Sequence, residues 1–115
     1  MSGPSGSCRS FDQSADGYAR TEAVVAMFVQ RRCEARRIYA TVIHVKSNTD
    51  GHKKEGINFP SAKRRIELFS EVYTEAGIDP STVFFLECHG PGTKAGDPKE
   101  GKAITEVFCK NRYYS

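Results

Sequence analysis

The stretch Leu86–Glu100, LECHGPGTKAGDPKE, restricts the possible folds of this chain more than any other part of it. It follows an apolar, β-branched and aromatic run that predicts a buried strand over Val83–Cys88. The glycines and proline of His89–Gly92 then predict a loop. The residues DPKE from Asp97 predict a helix start, with a carboxylate N-cap, proline at the first helical position and an acid at the third. His89 is therefore expected at the carboxyl end of a strand, beside a loop and a helix start, where open α/β folds collect ligands and chemistry.

The rest of the chain supplies the other elements of an α/β pattern. Two apolar stretches predict strands, EAVVAMFV over Glu22–Val29 and IYATVIHV over Ile38–Val45. Ser61 is predicted to cap a helix that runs to about Ala76, and a last helix is predicted over Pro98–Phe108. Three strands and two helices do not complete a sheet that is covered on both faces. We therefore expect residues 1–115 to form a single, incomplete domain of a larger protein.

Composition excludes several classes of function. The chain has 115 residues, 38% of them hydrophobic, and no apolar run near the roughly 20 residues that span a bilayer. Its start, MSGPSGS, resembles no secretory signal, and its net charge of +3 does not by itself indicate nucleic-acid binding. The four cysteines form no CxxC pair and no zinc-binding spacing, so we expect reduced, mostly buried thiols, no metal site and a cytoplasmic protein. They are Cys8, Cys33, Cys88 and Cys109.

His89 is the best catalytic candidate, because an imidazole near neutrality can move a proton or hydrogen-bond a developing oxyanion. The alternative is a histidine that only bonds a loop carbonyl. Cys88 beside it suggests a Cys-His dyad, but neighbouring side chains on a strand point to opposite faces. Cys88 is therefore predicted to be a core thiol, and neither Cys8 nor Cys33 has a partner at a useful spacing.

Three other candidates each have a structural alternative. Gly90-x-Gly92-Thr93 is a weak phosphate-loop signal, and the Thr93 hydroxyl would bond either a ligand amide or its own loop. Glu100 would close a capping box. The basic runs Lys63–Arg65 and Arg31–Arg37 lack interleaved aromatic residues and favour a solvated surface over phosphate binding. Two further histidines, His44 and His52, are expected to be structural or exposed.

Four blocks, taken together, resemble the β-ketoacyl synthases. HGPGTKAGDPKE resembles their HGTGT-x-x-GDP-x-E block, and CRSFDQSADGYARTE resembles their C-[KR]-x-FD-x-x-x-[DN]-GY-x-R-x-E segment. ARRIYATVIHVKSNTDG and GINFPS are more similar to animal-type fatty acid synthase than to modular polyketide synthases. The four blocks occur in the family's order over nearly the whole chain, which makes the resemblance specific.

The resemblance implies a partial thiolase-like fold with αβαβα layers, spanning the end of one half of the domain and the start of the other. It implies a β-ketoacyl synthase that joins an acyl thioester to malonyl by decarboxylative Claisen condensation in fatty acid synthesis. The implied partners are an acyl carrier protein, malonyl and acyl thioesters, and a second copy of the domain. The phosphopantetheine arm of the carrier would deliver the substrate, and the domain would bind no cofactor of its own.

The resemblance also assigns roles to residues. His89 would drive malonyl decarboxylation and stabilise the enolate or thioester oxyanion, Thr93 would bond the pantetheine arm, and Glu100 would belong to the polar network around an active-site lysine. The family's TACSS and KSN-x-GH segments, which carry the nucleophilic cysteine and a second histidine, do not occur in these residues. The resemblance places them before Met1 and after Ser115, so this chain alone is expected to be inactive.

Several positions depart from the family pattern. Pro91 replaces the first threonine of HGTGT, Ala23 a glycine, Thr21 a serine or glycine, and Cys88 an alanine. Two alternatives follow: a polyketide synthase ketosynthase, and a catalytically silent ketosynthase-like subunit that only binds a partner. A cysteine in a TACSS-like segment upstream would favour an enzyme over the silent subunit.

Overall fold

A computed structural model describes residues 2–54, 56 and 59–110 of the chain. Residues 57 and 58 of the GINFPS block lie outside the described part. The described elements are two α-helices, α1 over Ala62–Ala76 and α2 over Asp97–Phe108. Short 3-10 turns occur at Arg32–Glu34 and Pro80–Thr82. The two α-helices therefore supply most of the regular secondary structure of the described chain.

The ends of α1 are determined by local sequence, and both are where the sequence predicts them. Ser61 is the N-cap, and its hydroxyl accepts a hydrogen bond from the Arg64 backbone N–H at 3.3 Å. Gly77 ends the helix in the left-handed conformation, with φ of 66°, and the Ile78 N–H bonds back to the Tyr73 carbonyl at 3.0 Å. The predicted helix and both of its caps are confirmed.

Helices α1 and α2 pack through aromatic side chains. The Phe108 ring, which is buried, lies edge-on to Phe69 at 5.5 Å and to Tyr73 at 5.2 Å between ring centroids. Ala103 is fully buried on the same helix. These contacts hold the carboxyl end of α2 against α1. Among the described residues, no helix is long and apolar enough to cross a membrane.

The three predicted strands do not form a sheet in the described part of the chain. One isolated parallel bridge joins Ser2 and Tyr18, and the stretches Glu22–Val29, Ile38–Val45 and Val83–Cys88 run without ladder partners. Their apolar side chains remain exposed, Phe28 at 89% for example. The prediction of paired, buried strands is wrong for these residues, because a strand needs a neighbour to satisfy its backbone groups and bury its faces. The described chain supplies no such neighbour.

The start of α2 also differs from the prediction. The helix begins at Asp97, and Gly96 occupies the N-cap position without any side-chain cap. The predicted capping box is wrong, because the carboxylates of Asp97 and Glu100 bond backbone N–H groups outside the helix. This difference creates the site described next.

Candidate functional site

An N-terminal segment, Arg9–Tyr18, lies directly against the glycine loop that follows the third apolar run. The Ser10 hydroxyl donates to the Gly90 carbonyl, and the Gly17 N–H donates to the Gly92 carbonyl at 3.0 Å. Ala15 and Gly17 are buried in this contact. The loop is therefore supported from one side by a segment more than 70 residues away in sequence.

Two glycines lie where a side chain would not fit. Gly92 has φ of 75°, and a Cβ added to it would lie 2.8 Å from the Arg9 backbone nitrogen and 3.1 Å from the Gly17 carbonyl oxygen. Gly96 faces a similar restriction, since its added Cβ would lie 2.6 Å from the Thr93 hydroxyl oxygen. Backbone packing against the N-terminal segment thus explains Gly92, and the adjacent Thr93 side chain explains Gly96.

Two carboxylates hold the loop from the other side. Glu100 accepts hydrogen bonds from the N–H groups of His89, at 2.9 Å, and Gly90, at 2.8 Å. Asp97 accepts from Gly92 at 3.2 Å and from Thr93 at 3.0 Å. Asp97 and Glu100, termed the carboxylate pair here, are both buried. Together they fix the loop at two points.

The remaining residue of the loop completes this arrangement. Pro91 lies between the two bonded pairs and carries no backbone N–H. Every backbone N–H from His89 to Thr93 is therefore accepted by the carboxylate pair. Negative charge and occupied donors both disfavour an anion at this loop. The phosphate-loop alternative for Gly90-x-Gly92-Thr93 is wrong.

A cavity of about 750 Å³ opens beside the loop. Its walls include His89, Pro91 and Thr93 from the loop and Asp16–Tyr18 from the N-terminal segment. Its lining also includes Asp50, Phe59, Pro60 and Arg65. His89 is exposed, so its imidazole is accessible to a molecule that enters the cavity. The volume lies within the usual range of small-molecule sites.

The predicted site residues occupy two different positions around this cavity. His89 and Thr93 both line it, whereas Glu100 is buried behind the loop and acts on the loop backbone. The Thr93 hydroxyl oxygen accepts a hydrogen bond from the Gly96 N–H at 3.1 Å, which leaves its own hydrogen to donate. Within the described ranges, no three His, Cys, Asp or Glu side chains are placed to hold a metal ion.

The structure adds one residue to the site that sequence reasoning missed. Lys63 and Arg64 lie on the surface as predicted, but the side chain of Arg65 is only 23% exposed and lines the cavity. The prediction of a solvated face is wrong for Arg65. A signal was present, because Arg65 precedes Phe69, Val72 and Ala76 at spacings of 4, 7 and 11 residues, which place it on the apolar face of α1.

The other two histidines lie away from the cavity. His44 Nε2 is 2.8 Å from Glu75 Oε2 on α1, and Lys46 pairs with the same carboxylate and with Glu71. These contacts fasten one extended segment to the surface of α1. Because Lys46 and His44 hydrogen-bond its charged form, the pKa of Glu75 is lowered. His52 is exposed.

The cysteines differ in accessibility. Cys8 and Cys33 are exposed, which corrects the expectation of mostly buried thiols, while Cys88 and Cys109 are half-buried. Burial, followed by the nearby charges of Glu100 and Glu87, raises the pKa of the Cys88 thiol. A raised pKa lowers the fraction of reactive thiolate at neutral pH, so Cys88 is a poor nucleophile, in agreement with the prediction of a core thiol.

This contrast gives a measurable order of reactivity. At pH 7.5, iodoacetamide should modify Cys8 and Cys33 several-fold faster than Cys88, because the first two are exposed and Cys88 is partly buried beside two carboxylates. Peptide mapping over a time course measures the three rates, with full labelling after denaturation as the control. Labelling of Cys88 first would contradict the burial described here.

Comparison with known families identifies the class of protein. The model for the N-terminal domain of β-ketoacyl synthases matches residues 1–35, and the model for their C-terminal domain matches residues 39–115. The chain belongs to the β-ketoacyl synthase family.

Curated relatives include both fatty acid and polyketide synthases. The chain is 44% identical over 110 residues to a fatty acid synthase of Anser anser anser, a match that covers 96% of this chain and 31% of the relative. It is 42% identical over 111 residues to the hybrid PKS-NRPS synthetase pytA of Aspergillus terreus, covering 93% of this chain and 16% of the relative. It is 43% identical over 113 residues to the highly reducing polyketide synthase gloL of Glarea lozoyensis, covering 95% of this chain and 4% of the relative. The chain thus spans less than a third of each of these relatives.

A solved structure confirms the fold class. The ketosynthase from module 6 of the bacillaene synthase from Bacillus subtilis 168 superimposes with a TM-score of 0.83 at 31% identity. The match covers all of this chain and 21% of the solved chain. The path of the chain is therefore that of a thiolase-like ketosynthase. The family and the partial thiolase-like fold predicted from the sequence are both confirmed.

Proposed function

We propose that these residues form part of the ketosynthase domain of a multifunctional fatty acid synthase. The domain condenses an acyl thioester with malonyl carried on an acyl carrier protein. The observation that carries this proposal is the exposed His89 in a cavity, on a loop whose backbone is fixed by the carboxylate pair. The fatty acid synthase relative, which matches 96% of the chain, supports this product class. The nucleophilic cysteine and the second histidine come from other parts of the synthase.

In this reaction the bond between the malonyl carboxylate and its α-carbon breaks, and carbon dioxide leaves. The electron pair of that bond forms an enolate, whose α-carbon attacks the carbonyl of the acyl group on the cysteine. A new carbon–carbon bond forms and the cysteine leaves as a thiolate. His89 hydrogen-bonds the thioester oxygen while negative charge develops on it. Since the loop N–H groups are already bonded, this stabilisation comes from the imidazole of His89 and not from the loop backbone.

The carrier and the partner copy belong to the same proposal. The Thr93 hydroxyl keeps a hydrogen to donate and lines the cavity, which suits a bond to an amide carbonyl of the phosphopantetheine arm. That arm is a substrate carrier, and the domain holds no resident cofactor. An acyl carrier protein, malonyl and acyl thioesters, a second copy of the domain and a cytoplasmic location complete the proposed setting.

The polyketide relatives, which match 93% and 95% of the chain, favour a second candidate with the same chemistry and a different product. Both candidates are tested by loading the intact synthase with an acyl group and adding malonyl-carrier. Carbon dioxide and the β-ketoacyl-carrier are the measured products. Formation of both products supports a condensing enzyme, and the extent to which the β-carbons are reduced in the product of the complete synthase separates the two product classes. Carrier binding without release of carbon dioxide would instead indicate a silent subunit.

Restoring the hydroxyl missing from the family pattern should strengthen the binding of the carrier arm. A neutral hydrogen bond contributes roughly 0.5–1.5 kcal/mol, so Pro91→Thr should lower the KM for malonyl-carrier about two- to tenfold. Pro91→Ala is the matched control, because it introduces the backbone N–H without the hydroxyl. Thr93→Val should raise the same KM by a comparable factor. If neither position changes KM, the loop does not contact the arm.

A further inference from the structure

We propose that Arg65 is a positioning residue for His89 and that it acts through Glu100. Arg65 Nη1 lies 3.5 Å from Glu100 Oε1, and this same oxygen accepts the hydrogen bond from the His89 N–H at 2.9 Å. The other oxygen, Oε2, accepts from the Gly90 N–H at 2.8 Å. A cation on α1 is therefore connected to the backbone of the candidate catalytic residue through one carboxylate.

The pairing of Arg65 with Glu100 matters because the Glu100 carboxylate is buried. The side chain of Glu100 is 6% exposed, and a buried carboxylate is costly unless a charge or hydrogen bonds compensate it. Among the described residues, Arg65 is the cation that pairs with Glu100. Its Nη1 atom is itself buried and makes no hydrogen bond, so the interaction is a pairing of charges at short range. The Arg65 guanidinium thus lies 3.5 Å from the buried carboxylate that holds the loop.

The effect should be confined to one half of the loop. Glu100 bonds His89 and Gly90, whereas Asp97 bonds Gly92 and Thr93. Arg65 pairs with Glu100 and makes no ion pair with Asp97 in the described part of the chain. Loss of Arg65 should therefore loosen the first two N–H groups and leave the last two in place. An arginine that only stabilised the fold would affect all four alike.

Residue-resolved hydrogen exchange in the intact synthase tests this inference. In Arg65→Gln, the amides of His89 and Gly90 should exchange about tenfold faster, the change expected when a charge-assisted hydrogen bond loses its supporting cation. The amides of Gly92 and Thr93 should change less than about twofold, since their acceptor is unaltered. Arg64→Gln is the matched control, because Arg64 is next to Arg65 in sequence but pairs with Glu67 on the surface of α1. It should change none of the four amides.

A kinetic measurement accompanies the exchange experiment and rests on the proposed function of His89. Arg65→Gln should lower kcat for condensation about tenfold and leave the KM for malonyl-carrier unchanged, because the carrier contact assigned to Thr93 is preserved. Arg65→Lys, which restores the charge as a single point, should recover part of both effects. If Arg65→Gln fails to fold, the hydrogen exchange of the same four amides is measured in Arg65→Lys.

Uniform acceleration of all four amides, or no acceleration of the first two, would overturn the role of Arg65. Selective loosening with unchanged kcat would support the contact with the loop and overturn its catalytic consequence. The proposed function itself is decided separately, by the formation of carbon dioxide and the β-ketoacyl-carrier in the parent synthase.

Discussion

Replacement of His89 by alanine is expected to slow condensation by about 10²–10³-fold, because one positioned hydrogen-bond donor to a developing oxyanion typically contributes that much. Transfer of the acyl group onto the nucleophilic cysteine should remain largely intact, since the proposed role of His89 follows acylation. Pre-loading the enzyme with labelled acyl thioester measures the first half-reaction, and release of carbon dioxide measures the second.

The exposed His52 provides the matched control for this experiment. His52→Ala removes an imidazole that does not line the cavity and should leave both half-reactions within about twofold of the parent. Equal loss of both half-reactions in His89→Ala would show that His89 activates the nucleophile or maintains the fold. Retained condensation would overturn the role proposed for His89.

Replacement of Asp97 by alanine is expected to destabilise the domain by roughly 3 kcal/mol or more. The buried carboxylate accepts one buried bond, from the Gly92 N–H, and two part-buried bonds, from the Phe11 and Thr93 N–H groups. A buried donor left without an acceptor costs about 1–3 kcal/mol, and a part-buried donor adds to this cost. The large effect arises because Asp97 joins the N-terminal segment, the loop and α2 at a single side chain. Urea denaturation of the intact domain, followed by fluorescence, measures the change.

Asp12→Ala is the matched control for Asp97→Ala. The Asp12 carboxylate is exposed and bonds the backbone and hydroxyl of Ser14, two residues away. Its removal disturbs one turn and should produce a much smaller shift in the denaturation midpoint. Similar shifts for the two variants would contradict the joining role assigned to Asp97.

The two helices show what local sequence can and cannot predict. Both ends of α1 follow from residues within a few positions of each end, Ser61 with Arg64 and Gly77 with Tyr73, and they are predicted correctly. The start of α2 uses residue types that also form a capping box, but the N–H groups bonded there lie up to 86 residues away. The carboxylate pair therefore depends on tertiary contacts that spacing alone does not reveal.

The site was partly predictable for the same reason. The glycine loop and the histidine at its start follow from sequence pattern, and both His89 and Thr93 line the cavity. The backbone-holding role of Glu100 and the inward position of Arg65 depend on α1 packing near the loop. The predicted strands do not pair, because an apolar run predicts extended, buried chain but cannot supply the neighbouring strand that pairing requires.

The carboxylate pair has a mechanical consequence for the whole site. Because Asp97 and Glu100 accept hydrogen bonds from both halves of the loop, we expect the loop and the first turn of α2 to move together. The opposite end of α2, about 16 Å away at a rise of 1.5 Å per residue, is seated by Phe108 between Phe69 and Tyr73. Helix α2 therefore connects an aromatic cluster that does not line the cavity to the loop that carries His89. A change in ring size at Phe108 would tilt α2 and so alter the direction in which His89 points, without altering any residue that lines the cavity.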